Sequence, residues 1–289
     1  MRVAFATCLD LADGFDDDHP TAALLGATFE VWSDPAVDWD GYDRVVIRST
    51  WDYARRADEF VQWTRRVGPA RLRNHPEVIA WNSNKTYLVD LAAAGIPTVP
   101  TTFFGRLDRD IALIGEVVVK PAVSAGARDT GRFGPGHLEE ARSLVEVIVG
   151  SGRTAMVQPY LEGVDQAGET AVVVLGDEVS HVLHKKPVLR PNEVAPVDRS
   201  RGDFAPAEAM LDPDLVTAGR ADADQLALAR RVVAELGRRF GPTLFARVDM
   251  VPGSNGSPVV LEVEAVEPCL YLHTAPGASE RFAAAIRGS

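Results

Sequence analysis

The chain has 289 residues, 46% of them hydrophobic, enough to bury a sizeable core as one large domain or two to three smaller ones. Its net charge of −11, with no extended Lys/Arg stripe, argues against a nucleic-acid partner. No run of roughly 18 apolar residues is present, so no membrane span is expected.

The N-terminus Met-Arg-Val-Ala-Phe-Ala-Thr-Cys opens directly into a short apolar strand over 2–8. A cytoplasmic protein without a signal peptide is therefore expected. Cys8 and Cys269 are far apart and read as small buried apolar residues in a reducing compartment, not as a disulfide framework. A polar turn over 10–20 precedes a predicted helix over 20–28, and strands are predicted near 28–32 and 44–48. Short strands alternating with helices imply a parallel α/β unit, and such units bind ligands at the carboxyl ends of their strands. Arg48, Ser49, Thr50, Trp51 and Asp52 are accordingly candidates for substrate contact. The same residues also suit a turn leading into the next predicted helix, 58–67.

Residues 74–84 read as a loop, with Asn82-Ser83-Asn84 supplying an N-cap for a helix that begins near Lys85 and ends at Gly95. Leu88, Leu91 and Ala92 share one face of it. Lys85 in the first turn opposes the helix dipole, an arrangement that suits a shared anion and otherwise reads as a surface lysine. The strand 116–120 ends in Lys120-Pro121. The loop 122–132 follows, with Ser124, Ala125 and Gly126 small enough for backbone N–H groups to approach a phosphate that Lys120 can also reach. It is not a Walker loop, because no Gly-Lys-Ser/Thr follows and no helix opens from it.

A helix over 137–149 carries Leu138, Ala141, Leu144, Val145 and Ile148 at helical spacing. Strands are predicted at 154–161, 169–175 and 179–185, with a turn at 162–168 and a hairpin at Gly176-Asp177. The aperiodic stretch 190–213, rich in Pro, Asp and Arg, reads as a lid or a disordered segment. A long amphipathic helix over 222–240, through Leu226, Ala229, Val233 and Leu236, and a closing helix over 278–288 complete the count.

Between those helices, 243–270 reads as two strands joined by a Gly/Asn/Ser turn. Residues i and i+2 share a strand face, so Arg247 projects with Asp249, and Glu262 with Glu264. Pairing of the strands would gather three carboxylates and an arginine. Clustered carboxylates repel unless a cation sits among them, and oxygen-only ligands suit Mg²⁺ or Mn²⁺. A solvated polar hairpin face is the alternative. The flanking Val and Leu residues, and the absence of Lys, favour the metal.

Taken in order, several runs resemble the ATP-grasp ligases over roughly residues 80–270. They are Lys85, Val-Val-Val-Lys-Pro (117–121), the Ser124–Gly126 loop, Met-Val-Gln-Pro-Tyr-Leu (156–161), Gly-Glu-Thr (168–170), His184-Lys185, Arg-Val-Asp (247–249) and Leu-Glu-Val-Glu (261–264). The resemblance implies an α/β (α+β) ATP-grasp fold. A parallel α/β domain would span 1–84, a small lobe 85–161 and a C-terminal lobe with the metal site 162–289, the two lobes clasping ATP. It further implies that Lys85 and Lys120 contact phosphates, that Gln158, Pro159, Tyr160 and Leu161 form the adenine hinge, and that Glu169 meets the ribose. Lys185 would reach the terminal phosphate or substrate, Arg247 would stabilise the acyl phosphate, and Asp249, Glu262 and Glu264 would hold Mg²⁺ or Mn²⁺. Glu264 stands where most of the family has Asn, and the loop is poorer in Gly and Ser than usual.

Within that superfamily the chain is similar to the cyclo-ligases of cycloserine biosynthesis. The shared runs include Arg-Ser-x-Trp (48–51), Lys-x-Tyr-Leu (85–88), Ser-His-x-x-His-Lys (180–185) and Gly-Ser-Pro-x-Val-Leu-Glu (256–262) with Glu267-Pro268. That implies a small amino-acid-like substrate, ADP-forming ligation through an acyl phosphate, and specialised metabolism. Intermolecular ligation, phosphotransfer and nucleotide binding without catalysis remain alternatives. Arg48 or Arg201 is a candidate partner for a substrate carboxylate, and a homodimer is an open expectation from the superfamily.

Overall fold

The structure, a computed structural model, describes residues 1–107, 111–196 and 206–289. The chain opens with β1 (Val3–Thr7), α1 (His19–Leu25), β2 (Thr28–Val31), β3 (Arg44–Ile47), α2 (Ala57–Val67) and β4 (Leu72–Arg73). The strands form an all-parallel sheet in the order β2-β1-β3-β4. Every residue of β1 is buried because both faces of the sheet are covered. Ala4 and Ala6 face an aromatic cluster in which the Trp32 ring meets Phe60 edge-on at 5.1 Å and Trp63 lies 5.9 Å away. Val3 and Phe5 face the opposite side, toward Ala22 of α1 and Phe282.

The stretch 74–84, expected as a loop, contains the helix α3 (Pro76–Asn82). Pro76 suits a first turn, whose N–H has no intrahelical partner, and the His75 ring accepts from the Glu77 amide at 3.2 Å. Helix α4 (Tyr87–Ala93) begins two residues later than expected, so Lys85 precedes it and does not oppose its dipole. The Lys85 amide instead donates to Ala122 O at 2.8 Å. Tyr87, Leu88 and Leu91 form the buried face, whereas Ala92 is exposed.

Next come β5 (Thr102–Phe104), β6 (Val117–Pro121), β7 (Gly131–Phe133), α5 (Leu138–Gly150), β8 (Ala155–Pro159) and α6 (Gly163–Ala167). The short helix α6 occupies the expected turn at 162–168. The antiparallel pair β9 (Glu169–Leu175) and β10 (Glu178–Lys185) follows, and then β11 (Glu193–Val194), which returns to β7. The resulting sheet has the order β11-β7-β6-β8-β5. Val117 and Val119 pack with Ala141, Val145 and Ile148 of α5. By strand alternation Val118 and Lys120 point the other way. Arg201, in the expected lid, lies outside the described residues.

The chain closes with β12 (Val216–Ala218), α7 (Ala223–Phe240), β13 (Phe245–Pro252), β14 (Pro258–Glu264) and α8 (Ala278–Gly288). A reciprocal cap starts α7: Asp222 Oδ1 accepts from the Gln225 amide at 2.8 Å, and Gln225 Oε1 accepts from the Asp222 amide at 2.9 Å. Its fully buried stripe is Leu228, Ala229, Val232 and Leu236, with Leu226 and Val233 at the margin. The third sheet is antiparallel, in the order β12-β10-β9-β13-β14. One face packs on α7 through Val172, Val174, Ala246 and Val248. The other face is divided along its length. Val173, Leu175 and Phe245 pack toward α8 and the first sheet, while Glu169, Lys185, Arg247 and Asp249 occupy the remainder. The fold is thus mixed α/β, with one parallel and two antiparallel sheets. Among the described residues no helix is long and apolar enough to cross a membrane.

Candidate active site

Sheet register assembles the site. Lys185 lies opposite Glu169, Arg247 opposite Glu264, and Asp249 opposite Glu262. A bulge after Asp249 separates this charged end of the hairpin from the apolar end. Lys120 at the end of β6, and Lys85, supply cations from across a cleft that all eight residues line. Lys85 Nζ is 3.0 Å from Glu262 and Lys120 Nζ 3.7 Å from it. Lys185 Nζ lies 2.8 Å from both Glu169 and Asp249. Arg247 forks Asp249 with Nε and Nη2 at 2.8 Å each, and Nη2 also reaches Glu264. Cation and carboxylate alternate throughout, which is how closely packed buried charges escape a prohibitive desolvation cost.

The protonation states follow from that alternation. Burial alone would raise the Asp249 carboxyl, but Arg247 and Lys185 outweigh it and hold the group well below the carboxylate range. Burial would likewise depress the Lys185 ammonium, yet Asp249 and Glu169 hold it above the usual lysine range. Burial dominates at Lys120, whose pKa is lowered. At Glu264 burial, with repulsion from Asp249 and Glu262, outweighs Arg247 and raises the pKa. Glu262 is pushed down to about 2: burial opposes this, but Lys85 and Lys120 prevail. A depressed carboxylate stabilises the fold above its unfolded pKa and loses that contribution as pH falls through the folded value. The stability advantage of the wild type over Glu262→Gln is therefore expected to be full above about pH 4.5 and to shrink toward pH 2. Urea titrations of both proteins across that window test it. An advantage independent of pH would show that the lysine pairing contributes nothing.

Ser124, Ala125 and Gly126 line the cleft beside Lys85, whose Nζ donates to Ser124 O at 3.0 Å. Gly126 has φ +64°, and a Cβ there would come within 3.0 Å of Pro206. Ala127 and Asp129 also have left-handed backbones. The Ala207 and Ala195 amides donate to Gly126 O at 2.7 Å and Thr130 O at 2.8 Å, pinning the loop at both ends. Gln158, Pro159, Tyr160 and Leu161 line the cleft as well. Gln158 Nε2 donates to Thr101 Oγ1 at 2.9 Å, and the Tyr160 amide to Glu116 O at 2.8 Å. The Arg132 guanidinium sits 3.5 Å over the Tyr160 ring while forking Asp165, which locks this segment's approach to the cleft.

Of the five residues proposed at the end of β3, Trp51 alone lines the cleft. Arg48 is buried against Asp18 at 2.8 Å and donates to Pro268 O at 3.1 Å. Ser49 shares a hydrogen bond of 2.8 Å with Thr7. Thr50 is fully buried, and Asp52 accepts from Trp32 Nε1 and Arg56 Nη2, each at 2.8 Å. These four brace the loop instead of facing the cleft. Cys8 is buried as expected, but Cys269 is half-buried on the cleft wall, its thiol pushed up to about 12 chiefly by burial. Phe15, Tyr53, Glu267 and Tyr271 also line the cleft. Loops 10–20 and 48–53 are where the sequence leads one to expect pocket residues, which covers Phe15 and Tyr53; the Glu267-Pro268 pair marks Glu267, and nothing marks Tyr271.

Asp249, Glu262 and Glu264 offer oxygen donors on one face, the chemistry a hard divalent cation takes. As placed, their oxygens meet lysine and arginine. Among the described residues no three acidic, His or Cys side chains stand together as a ready-made metal cage. The donor set fits Mg²⁺ if the lysines turn to phosphate when a nucleotide arrives.

A family model for the N-terminal domain of D-cycloserine synthetase DcsG matches residues 3–74. Over 278 residues the chain is 34% identical to the cycloserine biosynthesis protein DcsG of Streptomyces lavendulae, covering 91% of this chain and 89% of that one. It superposes on the crystal structure of D-cycloserine synthetase DcsG with a TM-score of 0.84 at 31% identity, covering 100% and 99% of the two chains. A RimK domain ATP-grasp protein from Sphaerobacter thermophilus shares the fold, with a TM-score of 0.65 at 17% identity and coverage of 100% and 98%. By sequence over 91% of its length and by architecture, this chain belongs to the DcsG family of ATP-grasp carboxylate–amine ligases.

Proposed function

We propose that the enzyme uses Mg²⁺-ATP to activate the carboxylate of a small amino-acid-like molecule as an acyl phosphate. A nitrogen of the same molecule then attacks that carbonyl, expelling phosphate and closing a ring, in the biosynthesis of a specialised metabolite. The observation that carries this reading is the charge alternation across the cleft: four cations face four carboxylates, and each pair can be opened by a polyanion and its metal. A carboxylate approaching a triphosphate brings like charges together, so fixed cations must offset the repulsion as the bond forms. Lys85 and Lys120 hold the phosphates in this scheme, and Lys185 the transferred group. Arg247 stabilises the acyl phosphate and the tetrahedral species that follows. Asp249, Glu262 and Glu264 hold Mg²⁺, which neutralises phosphate charge when bound. The sheet of β6 and the sheet of β13 act as the two lobes about the nucleotide, mainly over 85–161 and 162–289, with β11 crossing back to the first and 1–84 closing the substrate end.

ADP release with Mg²⁺-ATP is the test, across small amino acids and their O-ureido and hydroxamate derivatives, each with and without an added amine. Release on a single acid without amine is expected. Release only when acid and amine are both present would replace ring closure by intermolecular ligation. A stable phosphorylated product in phosphorus NMR would replace ligation by phosphotransfer. Bound Mg²⁺-ATP without turnover on any acid would leave a nucleotide-binding protein.

A further inference from the structure

Three successive carbonyls after β14 are each held by a different side chain. Trp51 Nε1 donates to Glu267 O at 3.0 Å, Arg48 Nη2 to Pro268 O at 3.1 Å, and Arg247 Nη1 to Cys269 O at 2.8 Å. A backbone fixed in this way fixes the direction in which the Glu267 side chain leaves it. That side chain lines the cleft beside Phe15, Trp51 and Tyr53, with Phe15 and Trp51 edge-to-face at 5.0 Å. The other carboxylates of the cleft, Glu169, Asp249, Glu262 and Glu264, each have a lysine or arginine within 4 Å. Among the described residues Glu267 has none. Lys85, the cation that most steadies it, is already engaged with Glu262 at 3.0 Å. Burial, and then repulsion from Glu264, push the Glu267 carboxyl up to about 8. The Tyr53 hydroxyl donates a hydrogen bond to it, and a carboxyl raised that far keeps its own proton near neutral pH, a proton that a cation arriving beside it would displace.

We propose that Glu267 is a specificity determinant that binds the ammonium group of the substrate, against a wall formed by Trp51, Tyr53 and Phe15. An ammonium satisfies both halves of the arrangement: it pairs with the carboxylate and sits favourably against ring faces. A divalent metal satisfies only the first, because a strongly hydrated Mg²⁺ gains nothing from an aromatic ring face, whereas an ammonium does. The placement also gives Arg48 and Trp51 a use, since they hold the loop that aims the carboxylate. The substrate class rests on the ligase reading above.

The test compares kcat/KM for an accepted amino acid with that for the same acid bearing hydrogen in place of the ammonium group, in wild type and in Glu267→Gln. Wild type is expected to favour the ammonium form on the order of 100-fold, the size of effect seen when one partner of a desolvated charge pair is removed. In Glu267→Gln that preference should collapse through KM for the acid, with KM for ATP and the Mg²⁺ requirement unchanged. The des-amino acid should serve both proteins equally. Calorimetric binding of both acids in the presence of a non-hydrolysable ATP analogue reads the same discrimination without turnover. Full preference retained in Glu267→Gln overturns the assignment. A shifted Mg²⁺ requirement with the preference intact also overturns it, and gives Glu267 to the metal. Discrimination in calorimetry without ADP release from any acid would instead sink the ligase reading and leave the ammonium site standing.

Discussion

Arg247→Met is expected to lower kcat by at least about 10³-fold, the loss that follows removal of a preorganised cation from a phosphoryl- or acyl-transfer centre. The guanidinium makes a fork to Asp249, a contact to Glu264 and a hydrogen bond to the Cys269 carbonyl, all from a side chain that is 4% exposed. Lysine cannot reproduce that fork, so Arg247→Lys should recover little of the loss. Methionine keeps the unbranched apolar stem of the side chain and leaves Asp249 to Lys185 alone, with Glu264 unpaired. Breaking a buried pair costs about 3–5 kcal/mol of stability. The comparison must therefore be made well below the variant's unfolding transition, with the fold checked by circular dichroism. Lys85 and Lys120 do not depend on Arg247, so KM for ATP should stay close to the wild-type value. Single-turnover ADP formation measures the chemical step directly. A kcat within tenfold of wild type would remove Arg247 from the chemistry and leave it as a strut.

The hairpin 243–270 was readable because strand alternation is a local rule. Arg247 and Asp249, two apart, must share a face, as must Glu262 and Glu264, and the observed register adds only which residue lies opposite which. The same rule explains why Lys120 reaches the cleft while Val117 and Val119 do not. What local rules miss is pairing at a distance. An arginine at the end of a parallel strand looks the same in sequence whether it faces a substrate or a buried aspartate. Arg48 has Asp18 on one side and the Pro268 carbonyl on the other, and nothing near residue 48 announces either. Asp52 is likewise spoken for by Trp32, twenty residues upstream.

Short elements were lost for a different reason. Helix α3 has seven residues, too few for a periodic apolar stripe, although Pro76 in the first turn followed by Glu77 was a start signal that went unread. Strand β5 has three residues and exists because β8 offers it an edge. Glu267 was visible only as half of a Glu-Pro pair. That no lysine or arginine among the described residues lies within 4 Å of it is a property of the assembled cleft, where Lys85, Lys120 and Lys185 have been shared among the other carboxylates.

Asn74→Ala is expected to lower Tm by about 10 °C, because one side chain ties the first sheet to the strands that carry the site. Asn74 follows β4 and is 1% exposed. Its Nδ2 donates to Phe245 O at 2.9 Å and Ala265 O at 2.8 Å, and its Oδ1 accepts from the Leu244 amide at 2.5 Å. Alanine leaves two carbonyls and an amide without partners in a buried place, at about 1–3 kcal/mol each before relaxation. Asn82→Ala is the internal scale. That side chain makes two such bonds, to Val263 O at 2.8 Å and from the Ala265 amide at 2.7 Å, and should cost about two-thirds as much. Asn74→Asp separates hydrogen bonding from shape. It keeps an acceptor for Leu244 but sets a carboxylate against two carbonyls, so its folded pKa must rise above the unfolded value of about 3.9. A raised carboxyl favours the fold most below its unfolded pKa, and Asn74→Asp should therefore weaken as pH rises, whereas Asn74→Ala should not. Both lesions reach the chemistry. Phe245 stands two residues before Arg247, and Ala265 directly follows Glu264, so losing the tie loosens the register that sets Arg247 opposite Glu264. A fall in kcat should accompany the fall in Tm, at temperatures where the variant is still folded. Thermal unfolding of Asn74→Ala within about 2 °C of wild type, a shift worth no more than one weak hydrogen bond, would show that the two sheets are held together elsewhere.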